Sequence, residues 1–186
     1  MNYNSPCIAH ASTLVAHLLY ATKAAATLGM SFILNAVVDQ SMYPSPQTPC
    51  RKQTFNLGGV QCIYHPHENS NRYVVYLHGN VMTLAAIFQA NIVKPLSDAC
   101  SAHVIVPEYP GYGDHRDDAR GTGEMADRAM FSHVHRVINV LRSKGIRDIS
   151  IVGRSIGTGI ALGALASQQG SCHAVSNLAL ISPFTS

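Results

Sequence analysis

Four short runs of almost wholly β-branched, aliphatic and aromatic residues, Tyr73 to Leu77, His103 to Val106, Ile149 to Val152 and Leu178 to Ile181, constrain the fold of this chain most. Runs without polar alternation suit strands buried on both faces. Helical stretches stand between them at Leu84 to Val93, Glu124 to Ser143 and Ile156 to Ser167, the second closing on Lys144-Gly145, a usual C-terminal signature. Strand and helix in alternation imply right-handed crossovers, hence an α/β fold with a mostly parallel central sheet flanked by helices. Ahead of them, Thr54 to Leu57 and Val60 to Tyr64 flank Gly58-Gly59 and predict a hairpin.

The 186 residues suit one domain, and with 12% charged residues and a net charge of +3 spread thinly there is no basic stripe to track phosphates. No nucleic-acid partner is expected. Residues 1–40 differ from the rest, with Lys23 and Asp39 as their only formal charges. The apolar run 14–38 is long enough to span a bilayer, yet Lys23 near its centre costs about 2.5–3.5 kcal/mol on insertion. No Lys or Arg precedes the run, which argues against a signal peptide. Two readings stay open: a helix that contacts a membrane, and a helix packed on the domain. Pro44, Pro46 and Pro49 make 41–53 a linker, leaving 54–186 as the domain proper.

Five cysteines, Cys7, Cys50, Cys62, Cys100 and Cys172, are scattered without pairable spacing and read as reduced thiols in a cytoplasmic chain. Neither His65-Pro-His67 nor His133-Val-His135 has the i, i+4 spacing of a helical metal pair, so no metal and no cofactor is expected.

The chemistry concentrates at Gly153-Arg154-Ser155-Ile156-Gly157, a G-x-S-x-G between a strand and an Ala/Leu-rich helix. At such an elbow Ser155 takes a strained backbone conformation, and Gly153 and Gly157 keep strand and helix from colliding. The helix N-terminus offers the Ile156 N–H to developing negative charge. A second turn, Leu77-His78-Gly79-Asn80, follows an earlier strand and should reach the same rim of a parallel sheet. There the N–H of Asn80 or Val81 would complete an oxyanion hole, with His78 a structural imidazole and His78 and Gly79 lining the pocket. A third loop, Glu108-Tyr109-Pro110-Gly111-Tyr112-Gly113, adds Tyr109 and Tyr112 to the lining. Asp114, Asp117 and Asp118 after it read as a solvated loop.

These motifs, with LISPFTS at Leu180 to Ser186, resemble in order and spacing the α/β-hydrolase superfamily over about Thr54 to Ser186. The nearest likeness is to serine hydrolases of the prolyl-oligopeptidase-type and depalmitoylating thioesterase-like branch. That branch often has aspartate where Glu108 stands. The resemblance implies that Ser155 forms an acyl-enzyme with a small-molecule or lipidated ester, thioester or amide. It also implies an acid and then a histidine late in the chain. Downstream of Ser155 this sequence has no carboxylate and one histidine, His173, ahead of the last strand. No acid or base partner is therefore assigned, and the chain reads as a fragment with little activity of its own. Rival readings are a degenerate hydrolase used for binding and, on Gly157-x-Gly159-x-x-x-Gly163, a dinucleotide-binding protein.

Overall fold

The computed structural model describes residues 54–113, 124–167 and 175–183. The segments read as an N-terminal helix (14–38) and a linker (41–53), together with Cys172, His173 and Asp114 to Asp118, lie outside them. Six strands and four helices follow in chain order: β1 (Thr54–Leu57), β2 (Val60–His65), β3 (Arg72–Leu77), α1 (Leu84–Gln89), α2 (Val93–Cys100), β4 (His103–Pro107), α3 (Glu124–Ser143), β5 (Asp148–Arg154), α4 (Ile156–Ala166) and β6 (Val175–Ile181).

One sheet contains all six strands in the order β1-β2-β4-β3-β5-β6. β1 and β2 form the expected hairpin, its turn held by Gly58 and Gly59 at φ +65° and +82° and by the Gly59 N–H donating to Asn56 Oδ1 at 2.8 Å. β2 pairs antiparallel with β4, whereas β3 pairs in parallel with both β4 and β5, and β5 with β6. The chain thus leaves β3 toward β4 on one side and later returns to β5 on the other. The carboxyl end of β3 is therefore a switch point, where crevices form in sheets of this kind.

The apolar runs are continuous because each face of the sheet has its own helical layer. Val75 and Leu77, Ile105, and Ile149 and Ile151 point to a core shared with α3 and α4. Their neighbours Val74 and Tyr76, Val104 and Val106, and Val152 point to a second core under α1 and α2. On α3 the buried residues are Met130, His133, Val134, Val137, Ile138 and Leu141, a 3–4 spacing that lays one stripe on the sheet. Gly163 of α4 lies under the Phe131 ring of α3, so this glycine serves helix packing.

Two expectations need correction. The stretch Leu84 to Val93 is not one helix: α1 stops at Gln89, Asn91 takes a left-handed φ of +48°, and a second helix runs Val93–Cys100. Asn tolerates that conformation without glycine, and Pro95 sits in the first turn of α2, where its missing N–H is harmless. β6, expected to be buried on both faces, is at the sheet edge, with Leu178 and Ile181 exposed. Among the described residues no helix is long and apolar enough to cross a membrane.

Candidate active site

Ser155 joins β5 to α4 with φ 52° and ψ −121°, a combination costly for any residue with a Cβ. Three contacts fix it. Its N–H donates to Ile181 O at 2.9 Å, and its carbonyl accepts from the Thr158 N–H at 2.9 Å and the Thr158 hydroxyl at 2.7 Å. The glycines either side have no room for side chains. A Cβ on Gly153 would stand 2.6 Å from Gly157 O, and one on Gly157 would stand 2.7 Å from the Leu77 carbonyl carbon and 2.9 Å from His78 O. The N-terminus of α4 is thereby pressed onto the end of β3. On the other side of the serine, a Cβ on Gly79 would lie 3.6 Å from Ser155 Cβ. The elbow and the turn after β3 are therefore side by side, at the carboxyl ends of adjacent parallel strands.

That turn is itself strained. Val81 is β-branched yet sits at φ +63°, outside the comfortable range for its type. Its N–H donates to Asn80 Oδ1 at 3.0 Å, and the same oxygen accepts from the Tyr112 hydroxyl at 2.8 Å. Of the two N–H groups considered for the turn, that of Val81 is thus engaged, which favours Asn80. On the serine side the Ile156 N–H, at the first position of α4, has no intrahelical acceptor.

His78 is fully buried and its Nδ1–H donates to Gly79 O at 3.0 Å. Its ring stacks on Tyr109, centroids 4.0 Å apart, and meets Tyr112 edge-on at 6.1 Å. The Tyr109 hydroxyl donates to His78 O at 2.8 Å. Burial, then Tyr112, Tyr76 and Glu108, push the Tyr109 hydroxyl well above its ordinary range, so it remains a donor. Both tyrosines, expected at a pocket wall, lie buried beneath the turn.

Sequence reasoning passed over Glu108 and His133. Glu108 is buried, its N–H donates to Gln61 O at 2.8 Å, and its carbonyl accepts from His133 Nδ1 at 3.0 Å. Its Oε2 accepts the Leu84 N–H at 3.1 Å, while Oε1 lies 3.5 Å from His78 Nε2. The available signal was a carboxylate placed directly after the apolar run Val104 to Pro107.

Burial pushes the neighbouring Cys62 thiol from 9.0 up to about 12, with the Glu108 charge adding to the effect. Between those values the unfolded chain has lost a proton that the folded chain keeps, so rising pH favours unfolding. Urea midpoints should fall as pH climbs from 9.0 toward about 12, and fall less in Cys62→Ala. Equal falls in both proteins would remove the thiol as the cause.

No hydrogen bond joins the Ser155 hydroxyl to another described residue. Among the described residues no cluster of three or more His, Cys, Asp or Glu could hold a metal ion.

Comparison with known proteins accords with this geometry. Residues 74–186 match the model of the alpha/beta hydrolase family. Protein ABHD12B of Homo sapiens is 30% identical over 130 residues, covering 68% of this chain and 34% of that protein. The lysophosphatidylserine lipase ABHD12 of Gallus gallus is 30% identical over 94 residues, 50% of this chain and 23% of the lipase. The chain thus spans about a third or less of the length of these relatives. A hormone-sensitive lipase from a metagenome library shares the fold, with a TM-score of 0.53 at 18% identity over 81% of this chain and 50% of that one.

Proposed function

Because the chain belongs to the alpha/beta hydrolase family, we propose that Ser155 is the nucleophile of an acyl-transfer site. The observation that carries this reading is the serine's backbone, φ 52° and ψ −121° at a strand-to-helix junction, with the Gly79 turn packed beside it. Oγ attacks the carbonyl carbon of an ester, thioester or amide while a base takes its proton. The carbonyl oxygen becomes negative between the Ile156 and Asn80 N–H groups, the alcohol, thiol or amine leaves with a proton, and water releases the acid. The name of the chicken relative, a lysophosphatidylserine lipase, favours a lipid ester as substrate. In this reading 54–186 carries the nucleophile and oxyanion hole, and 14–38 offers a membrane contact.

No carboxylate follows Ser155 in the sequence and its hydroxyl meets no histidine among the described residues. Losing the histidine of such a triad costs about a millionfold in turnover. The 186-residue chain should therefore hydrolyse p-nitrophenyl acetate at little above the buffer rate, and imidazole added as an external base should raise the protein-dependent rate. That increment should vanish in Ser155→Ala. An increment that survives the substitution contradicts the nucleophile assignment. No increment at all favours the second reading, a binding protein on a hydrolase frame.

A further inference from the structure

Among the described residues, two buried side-chain atoms lack a hydrogen-bond partner, His78 Nε2 and Glu108 Oε1, and they face each other across 3.5 Å. Both side chains are essentially without solvent exposure, 0% and 1%. An unpaired polar atom so placed costs about 1–3 kcal/mol, so two of them in mutual contact are better understood as one interaction than as two defects. His78 Nδ1 already carries its hydrogen, because its partner, Gly79 O, can only accept. The contact therefore closes when a single proton lies between Nε2 and Oε1, whichever atom holds it.

We propose that Glu108 is the positioning residue of the oxyanion turn, fixing it through His78 and Leu84 at once. The inference rests on the reading of Ser155 as nucleophile. The carboxylate is anchored from behind: the Glu108 N–H is tied to Gln61 of β2 and its carbonyl to His133 of α3. From that fixed base, Oε1 meets the His78 ring at the start of the turn and Oε2 accepts the Leu84 N–H at its end. Tyr109 and Tyr112, next along the loop, take the two points between, His78 O and Asn80 Oδ1. Four points of one short turn are thus held by one loop. A β-branched residue at φ +63° in the middle of that turn needs such over-determination to persist. On this proposal it is the loop, and not the turn's own sequence, that holds the Asn80 N–H at the rim beside Ser155.

The test compares wild type, Glu108→Ala and Glu108→Gln in two measurements. In the first, the imidazole-assisted rate of phosphonylation of Ser155 by a fluorophosphonate is followed; Oγ–P forms, P–F breaks and imidazole takes the proton. Alanine should slow this about 100-fold, the usual scale for a lost oxyanion-hole donor. Glutamine offers an amide N–H to Nε2 and its carbonyl to the Leu84 N–H, so it should stay within about threefold of wild type. The second measurement is hydrogen exchange at the Val81 amide, which needs no reactive serine. It should quicken about tenfold or more in alanine and stay near wild type in glutamine, with β5 unchanged in both. Alanine at the wild-type rate, or glutamine as impaired as alanine, overturns the proposal. Where alanine does not fold, the glutamine result alone decides. Absence of any labelling in wild type refutes the nucleophile reading and leaves Val81 exchange to judge the positioning.

Discussion

Replacing Gly157 with alanine is expected to destabilise the chain by about 3 kcal/mol, seen as a fall in melting temperature of about 10 °C. The added Cβ meets the Leu77 carbonyl carbon at 2.7 Å and His78 O at 2.9 Å, and these are main-chain atoms that no rotamer change can move. The only escape is for α4 to lift off β3. That shift separates Ser155 from the Gly79 turn, so labelling of the serine should fall as well; a displacement of about 1 Å is enough to cost about 100-fold. A useful contrast is Gly145→Ala at the end of α3. There φ is +84° but no atom lies within 4 Å of the new Cβ, so only the left-handed penalty of about 1 kcal/mol applies. Similar losses at both positions, measured by urea or thermal unfolding, would mean that the β3–α4 contact is looser than these distances imply.

At Ser155 the expected effects on reactivity and stability have opposite signs. Ser155→Gly should reduce fluorophosphonate labelling to background, since no hydroxyl remains, and at the same time relieve a backbone conformation costing about 1–3 kcal/mol. Glycine gives back about 0.5–1 kcal/mol through the freer unfolded chain, so a net gain of about 1 kcal/mol is expected. Ser155→Ala keeps the Cβ and therefore the strain. Glycine melting above alanine by a few degrees is the expected order. An alanine variant as stable as the glycine one would show that φ 52° is not being held against a cost.

Much of the architecture is legible in the sequence because burial on both faces leaves a plain mark. Tyr73 to Leu77 carries no polar alternation and Ile149 to Val152 is broken only by Ser150, and each strand proves to separate two apolar cores. The break between α1 and α2 is hidden for the opposite reason: Asn91 carries a left-handed turn usually written with glycine, while Pro95, which resembles a stop, sits harmlessly in a first turn. Serine and its flanking glycines can be placed from spacing alone, since the elbow's crowding is local. Glu108 cannot. A carboxylate in a Pro- and Gly-rich loop is ordinarily solvated, and its burial depends on His78 and Leu84, at the two ends of one turn, and on His133 of α3, which come from two other parts of the chain. The same holds for Tyr109 and Tyr112, whose hydroxyls serve the turn from below.

The central claim is that Ser155, set at the strained elbow beside the His78–Val81 turn, is the atom that accepts the acyl group. Its most direct measurement is peptide mapping by mass spectrometry of the 186-residue chain after treatment with a fluorophosphonate in the presence of imidazole. The proposed mechanism predicts one adduct, on the peptide containing Ser155, absent from Ser155→Ala and weakened about 100-fold in Glu108→Ala. An adduct on any other residue, or a Ser155→Ala protein labelled as fast as wild type, would contradict it.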